Sequence, residues 1–321
     1  MKKAVLLMKR NFVLALIVSM FVISSAAFAA YPEGPITIVV PYSAGGAMDI
    51  TTRLLTKYAA KLIGQPIVTV NIPGGSGAVG ATDVFKSKPD GYKLLVSDFG
   101  PGCLSSKAHK LPFDIMKDFS FCARQITYPR LIVARTGDER FSNGAEFFDY
   151  VKKNPGNVHV ATAGARTDSS VLILALNQAG GLEMVELPSN GTSEALSQVL
   201  GGHVDAGAFS TTDIVGPLAD GEVFIVGVAD NERCRFVPDA PTFKELGLDV
   251  VIKASRGYAF KAGTDPAIVE YFDGIVKQVS EDPEYQAELE KIGLDAGYLN
   301  SKDYTEFAAK NLELMKTMLG D

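Results

Sequence analysis

"NIPGGSGAVGATDVF" spans Asn71 to Phe85. Within it, Gly75-Ser76-Gly77-Ala78-Val79-Gly80 spells G-x-G-x-x-G, the pattern of a dinucleotide-binding turn. Pro66 to Ile72 before it reads as a strand, and Ala78 to Lys86 after it as a short helix. Upstream, "ITIVVPY" (Ile36 to Tyr42) is a β-branched run that suits a buried strand. The turn "SAGG" (Ser43 to Gly46) follows it, then a helical stretch from Met48 to Ile63 that Gly64-Gln65-Pro66 ends. Downstream, "KPDGY" is a turn and "KLLVS" (Lys93 to Ser97) a third strand. The order βαβαβ predicts a parallel sheet with helical crossovers. Both Gly-rich turns then lie at the carboxyl ends of strands, where ligands of such sheets sit. Backbone N–H groups at a helix start suit any anion, so the spelling does not separate a pyrophosphate from a carboxylate. A tight turn with close helix packing explains it equally well.

The rest of the chain continues in the same style. "RLIVAR" (Arg130 to Arg135), "VHVATAG" (Val158 to Gly164), Ala206 to Phe209 and "VFIVGVA" (Val223 to Ala229) read as strands. Helices are predicted near Ala145 to Lys153 and Ser169 to Ala179. "VVIKASRGYAF" (Val250 to Phe260) reads as a return strand. Terminal helices follow at Pro266–Ser280, Pro283–Ile292 and Asp303–Leu319. Two βα-rich halves predict an α/β fold of two doubly wound lobes with a ligand cleft between them.

The N-terminus bears on which anion to expect. Lys2, Lys3, Lys9 and Arg10 precede an uncharged run from Asn11 to Ala30 that contains Ala27-Phe28-Ala29. This is the layout of a cleaved secretory signal peptide over residues 1–29, with an uncleaved anchor as the alternative. Either reading sends the chain out of the cytoplasm, to the periplasm. Removal leaves 292 residues, which suits two domains. The segment carries four Lys/Arg and no acid, so the net charge goes from −6 to −10. An acidic exported chain is a poor partner for nucleic acid or an anionic membrane surface. It also seldom meets nicotinamide cofactor, and Pro73 and Gly74 separate the strand from the motif. Asp98 then reads as a loop residue rather than a ribose ligand.

No other chemistry is spelled out. Cys103, Cys122 and Cys234 are an odd number and contain no C-x-x-C, and His109, His159 and His203 stand far apart. The cysteines read as buried apolar residues and a zinc site is not expected. G-x-S-x-G, H-E-x-x-H and P-loop motifs are absent. No catalytic residue, metal or cofactor is therefore expected. "TAGARTDSS" (Thr162 to Ser170) is a third strand–helix junction, with hydroxyls and an arginine that could pair with a carboxylate.

Taken together, these blocks resemble the extracytoplasmic solute receptors of tripartite tricarboxylate transporters, the Bug or TctC-like family. "PITIVVPYSAGGAMDITTRLL" is similar to the family's first strand, turn and helix, with Asp49 and Arg53 in place. "VNIPGGSGAVGA", "KPDGYKLLV", "LPFDIMKDFSF", "LGGHVDAG" and "ERCRFVPDAPTFKELG" resemble further family blocks in the same order. The resemblance implies a two-lobe periplasmic binding protein (a Venus flytrap) with mostly parallel sheets flanked by helices. Residues 30–126 plus 254–321 would form lobe 1 and residues 127–253 lobe 2. The crossings near Ala123–Arg130 and Ile252–Tyr258 would be hinges. It further implies a non-catalytic monomer that closes on a small carboxylate and hands it to integral membrane subunits. Carried onto this chain, the ligand-binding residues are Tyr42, Ser43, Ala44, Gly45 and Gly46 in lobe 1, bordered by Gly75, Ser76 and Gly77. From lobe 2 come Thr162, Ala163, Gly164, Arg166, Thr167, Ser169 and Ser170, with Ser210. The chain departs from the family pattern where Arg166 replaces a usual glycine and Ser170 a usual histidine. Leu187-Pro188-Ser189 likewise replaces a usual Val-Pro-Tyr. Arg166 is thereby a candidate partner for a distal carboxylate. An exported enzyme on the same fold and a sensor receptor remain the alternatives.

Overall fold

The computed structural model describes residues 31–97 and 111–319. The proposed signal peptide, Asp98, Cys103 and His109 lie outside the described residues. The chain divides after Gly34, and the elements below all belong to the unit Pro35–Asp321.

The opening run folds as its periodicity predicts. β1 (Ile36–Val40) is almost wholly buried, as a continuous β-branched stretch should be. α1 (Ala47–Ile63) follows and ends at Gly64, whose φ of 72° supplies the left-handed C-cap. β2 (Ile67–Asn71) alternates exposure at the sheet edge. Gly75–Gly77 form a short 3-10 turn, then come α2 (Ala78–Phe85) and β3 (Lys93–Ser97). β2 and β3 both pair in parallel with β1.

After α3 (Ile115–Asp118), β4 (Phe119–Pro129) runs toward the second sheet. That sheet holds β5 (Leu131–Arg135), β6 (His159–Thr162), β7 (Val185–Pro188), β8 (Ala206–Phe209) and β9 (Val223–Val228). Helices α4 (Gly144–Lys153), α5 (Asp168–Gly180), α6 (Thr192–Leu200) and α7 (Thr211–Ala219) cover it. β10 (Lys253–Lys261) returns to the first sheet. α8 (Pro266–Glu281), α9 (Pro283–Lys291), β11 (Ala296–Leu299) and α10 (Ser301–Leu319) complete it. The strand orders are β11-β4-β10-β3-β1-β2 and β7-β6-β8-β5-β9.

The expectation of mostly parallel sheets is corrected: both are mixed. β10 pairs antiparallel with β3 and β4, and β4 with β11. In the second sheet β5 lies antiparallel between β8 and β9. The reason is topological. β4 leaves the first sheet and β10 re-enters it beside β4, so the pair must run in opposite senses. They stay paired from Phe119–Lys261 to Pro129–Lys253. Just beyond, Arg130 N–H donates to Ile252 O at 3.1 Å, and Ile252 N–H to Ala229 O at 3.0 Å. Both chain crossings are thus tied together at one point.

Each sheet packs its own core. Val39, Leu95, Phe119, Phe121, Ala259 and Tyr304 belong to one cluster of the first lobe. Ile132, Phe147, Val160, Leu172, Val226 and Phe243 belong to one face of the second, and Leu131, Phe209 and Ile214 to the other. Each buried Val, Leu, Ile or Phe among them contributes roughly 1.5–3 kcal/mol. Cys122 is a buried free thiol and Cys234 a half-buried one. Among the described residues, no helix is long and apolar enough to cross a membrane, and no His/Cys/Asp/Glu group could hold a metal.

Candidate functional site

Five strand–helix junctions meet where the two lobes touch: β1–α1 and β2–α2 from one lobe, β6–α5, β7–α6 and β8–α7 from the other. Ser43, after β1, donates its N–H and Oγ–H to Asn190 O of the other lobe, at 3.3 and 2.9 Å. Ser193 Oγ–H reaches Ala44 O at 3.4 Å. Ala47 N–H, at the start of α1, is shared by Thr192 Oγ1 at 3.3 Å and Asp213 Oδ1 at 3.1 Å. Gly164 packs so closely on Ser76 that a Cβ there would lie 2.8 Å from Ser76 Oγ. The lobes are closed on one another.

Between them is a cavity of about 30 Å³ lined by Tyr42, Ser43, Gly46, Met48, Tyr128, Arg130, Ala163, Asp168, Thr192 and Arg256. Of the residues expected from sequence, Tyr42, Ser43, Gly46 and Ala163 line it. The others stand nearby but make different contacts. Gly45 N–H donates to Asp49 Oδ2 at 3.0 Å. Burial pushes the Asp49 carboxyl up, but hydrogen bonds from Arg53 and Gly45 more than offset this and hold it below its usual range.

In the second lobe the hydroxyls brace their own loop. Thr162 Oγ–H and Ser170 Oγ–H donate to Glu186 Oε1 at 2.7 and 2.5 Å. Thr167 Oγ–H donates to Gly164 O at 2.7 Å, and Ala163 N–H to Ser169 Oγ at 3.2 Å. Ser210 caps α7 with Asp213. Arg166 is half-buried in a left-handed turn, φ 58°, and does not line the cavity. Gly75, Ser76 and Gly77 all have positive φ (58°, 54° and 94°), and Ser76 is the residue on which Gly164 packs. The last motif glycine, Gly80, lets α2 approach the sheet: a Cβ there would lie 2.9 Å from Ile72 O.

The charged residues at the cavity come from the crossing strands and from α5. Arg130, 4% exposed, forms an ion pair with Asp168, 3% exposed, through Nε and Nη2 to Oδ2. Asp168 Oδ1 also accepts Ser169 N–H at 2.9 Å. Arg256, 2% exposed, sits on β10. Its Nη1 donates to Ala47 O and Thr51 Oγ1, both at 3.0 Å. Its Nε is buried and has no hydrogen-bond partner among the described residues. Tyr128 lies against both guanidiniums, 4.6 Å from Arg256 Cζ and 5.5 Å from Arg130 Cζ. Such a contact contributes up to about 2 kcal/mol when desolvated, less than the several kcal/mol a buried charge costs. The reading of the sequence missed Met48, Tyr128, Arg130, Asp168, Thr192 and Arg256. One signal was present: arginine within or beside runs that otherwise read as buried strands.

A family model described as "Tripartite tricarboxylate transporter family receptor" matches residues 51–320. A UPF0065 protein in the gbd 5' region of Cupriavidus necator is 29% identical, covering 90% of this chain and 88% of that one. MatC from Rhodopseudomonas palustris with bound malate superposes with a TM-score of 0.83 at 29% identity, over 90% of this chain and 99% of that one. The periplasmic binding protein BugD superposes at 0.81 and 27% identity, over 90% and 98%.

Proposed function

The chain belongs to the tripartite tricarboxylate transporter receptor family, and from that premise we propose that it captures a small carboxylate between its lobes and passes it to membrane subunits. The observation that carries this reading is the convergence of both lobes on one cavity. Tyr42, Ser43 and Gly46 come from one lobe, and Ala163, Asp168 and Thr192 from the other. A solute there touches both lobes and so favours the closed state by its differential contacts. The malate bound by MatC supports a carboxylate as the class of solute. On this reading residues 30–126 and 254–321 move against residues 127–253, bending where β4 and β10 cross. The chain works as an exported, non-catalytic monomer after cleavage behind Ala29.

A thermal-shift screen tests the proposal. Mono-, di- and tricarboxylates are compared with NAD and NADP. At least one carboxylate raises the melting temperature in a saturable way, and the nucleotides do not. Stabilisation by NAD and by no carboxylate would instead favour an enzyme and end this reading.

A further inference from the structure

Among the described residues, Arg256 is a buried charge without a carboxylate counterion. No carboxylate among the described residues pairs with it, and its Nε has no partner. Arg130, the other cation at the cavity, is matched by Asp168. The lining therefore carries one positive charge more than it neutralises. The cavity of about 30 Å³ has room for about two waters, which is also the room two carboxylate oxygens take. Resting on the receptor reading above, we infer that Arg256 ion-pairs with the solute, and that the cavity takes in one carboxylate group and no more. A second carboxylate buried there would meet no free cation in the lining and would be left uncompensated. Any further carboxylate of the solute lies outside the cavity.

Calorimetry with butyrate, succinate, malate and citrate tests this on the wild-type chain, Arg256→Gln and Arg256→Lys. The tightest of the four weakens at least about 30-fold with Arg256→Gln, since charge-assisted hydrogen bonds are the strong ones, and recovers in part with Arg256→Lys. The unliganded Arg256→Gln protein melts no lower than wild type, because the change removes an uncompensated charge. A merely structural arginine gives the reverse: a lower melting temperature with affinity kept. If a carboxylate binds and Arg256→Gln holds it within about threefold, the assignment to Arg256 fails while the receptor reading stands. If none of the four binds the wild-type chain, the receptor reading itself fails, and this inference with it.

The second arm needs no variant. Butyrate binding supports the count of one carboxylate, and binding of citrate alone overturns it. Where succinate binds, its monoamide binds within about fivefold and its diamide at least about 30-fold more weakly, because only one end needs its charge. Equal, large losses at each amidation step would overturn the count.

Discussion

Breaking the Arg130–Asp168 pair is the sharpest test of how the cavity is built. Their side chains are 5% and 3% exposed, so solvent cannot compensate either charge. Asp168→Asn keeps the shape and leaves Ser169 N–H an acceptor, but strands the Arg130 guanidinium. Breaking a buried pair in this way costs about 3–5 kcal/mol. Against a total stability of roughly 5–15 kcal/mol, that is a large share. At about 2–4 °C per kcal/mol for a chain near this size, the melting temperature falls by about 6–20 °C. Replacing both partners, Arg130→Met with Asp168→Asn, removes the stranded charge and recovers most of the loss. The coupling energy of the cycle is then at least about 2 kcal/mol. The chain has 11 tyrosines and no tryptophan, so guanidinium unfolding is followed by circular dichroism with tyrosine fluorescence as second probe. A single-variant loss under about 1 kcal/mol, or a double variant that is simply additive, would show that the pair behaves as an exposed one.

Three further outcomes are expected. Asp49 is held below its ordinary value of 3.8, so its contribution is present above that pH and lost as pH falls through the folded-state value. The stability gap between wild type and Asp49→Asn is therefore flat from about pH 5 to 8 and shrinks below about pH 4; a gap that grows toward low pH contradicts the sign. Gly80→Ala puts a methyl 2.8 Å from Pro41 Cβ and 2.9 Å from Ile72 O and costs about 1–3 kcal/mol by thermal unfolding, whereas a loss below about 0.5 kcal/mol would mean α2 is free to back away. Asp213→Ala removes the α7 cap, worth about 0.5–2 kcal/mol, together with the bond to Ala47 N–H. It raises the radius of gyration of unliganded protein in X-ray scattering, and an unchanged radius would show that Asp213 does not hold the lobes shut.

The first half of lobe 1 was legible because its signals are local. The apolar runs of β1 and β2, the stop at Gly64 and the turn at Pro89-Asp90-Gly91 are each read within a few residues. What escaped depends on distant partners. The β4–β10 pairing joins residues more than a hundred positions apart, and no periodicity announces its direction. α7 escaped because Gly216 and Pro217 break its pattern, although Ser210 and Asp213 spell its capping box. At the site, the loop residues Tyr42, Ser43, Gly46 and Ala163 were readable as strand-end positions. Tyr128, Arg130 and Arg256 were not, because the crossing strands deliver them from outside any loop. Arg166 drew attention as the cation in a Gly-rich loop, but the cavity lining does not include it.

The anion logic of the Gly-rich turns holds, but the anions the structure shows there are the protein's own. Gly45 N–H is occupied by Asp49 and Ala47 N–H by Asp213, so the start of α1 already faces two carboxylates. The G-x-G-x-x-G turn, for its part, supports Gly164 across the lobe contact and brings α2 onto the sheet. Those N–H groups are therefore not free to hold a solute in the closed form. The chain's net charge of −6 opposes an approaching anion at long range, but salt screens that field beyond about 8 Å. What attracts a carboxylate must act at short range, in a water-poor site where one charge counts for more than it does at the surface. A guanidinium with no carboxylate counterion among the described residues, set at the crossing of the lobes, meets that requirement, and in the closed form the freely spelled glycines do not.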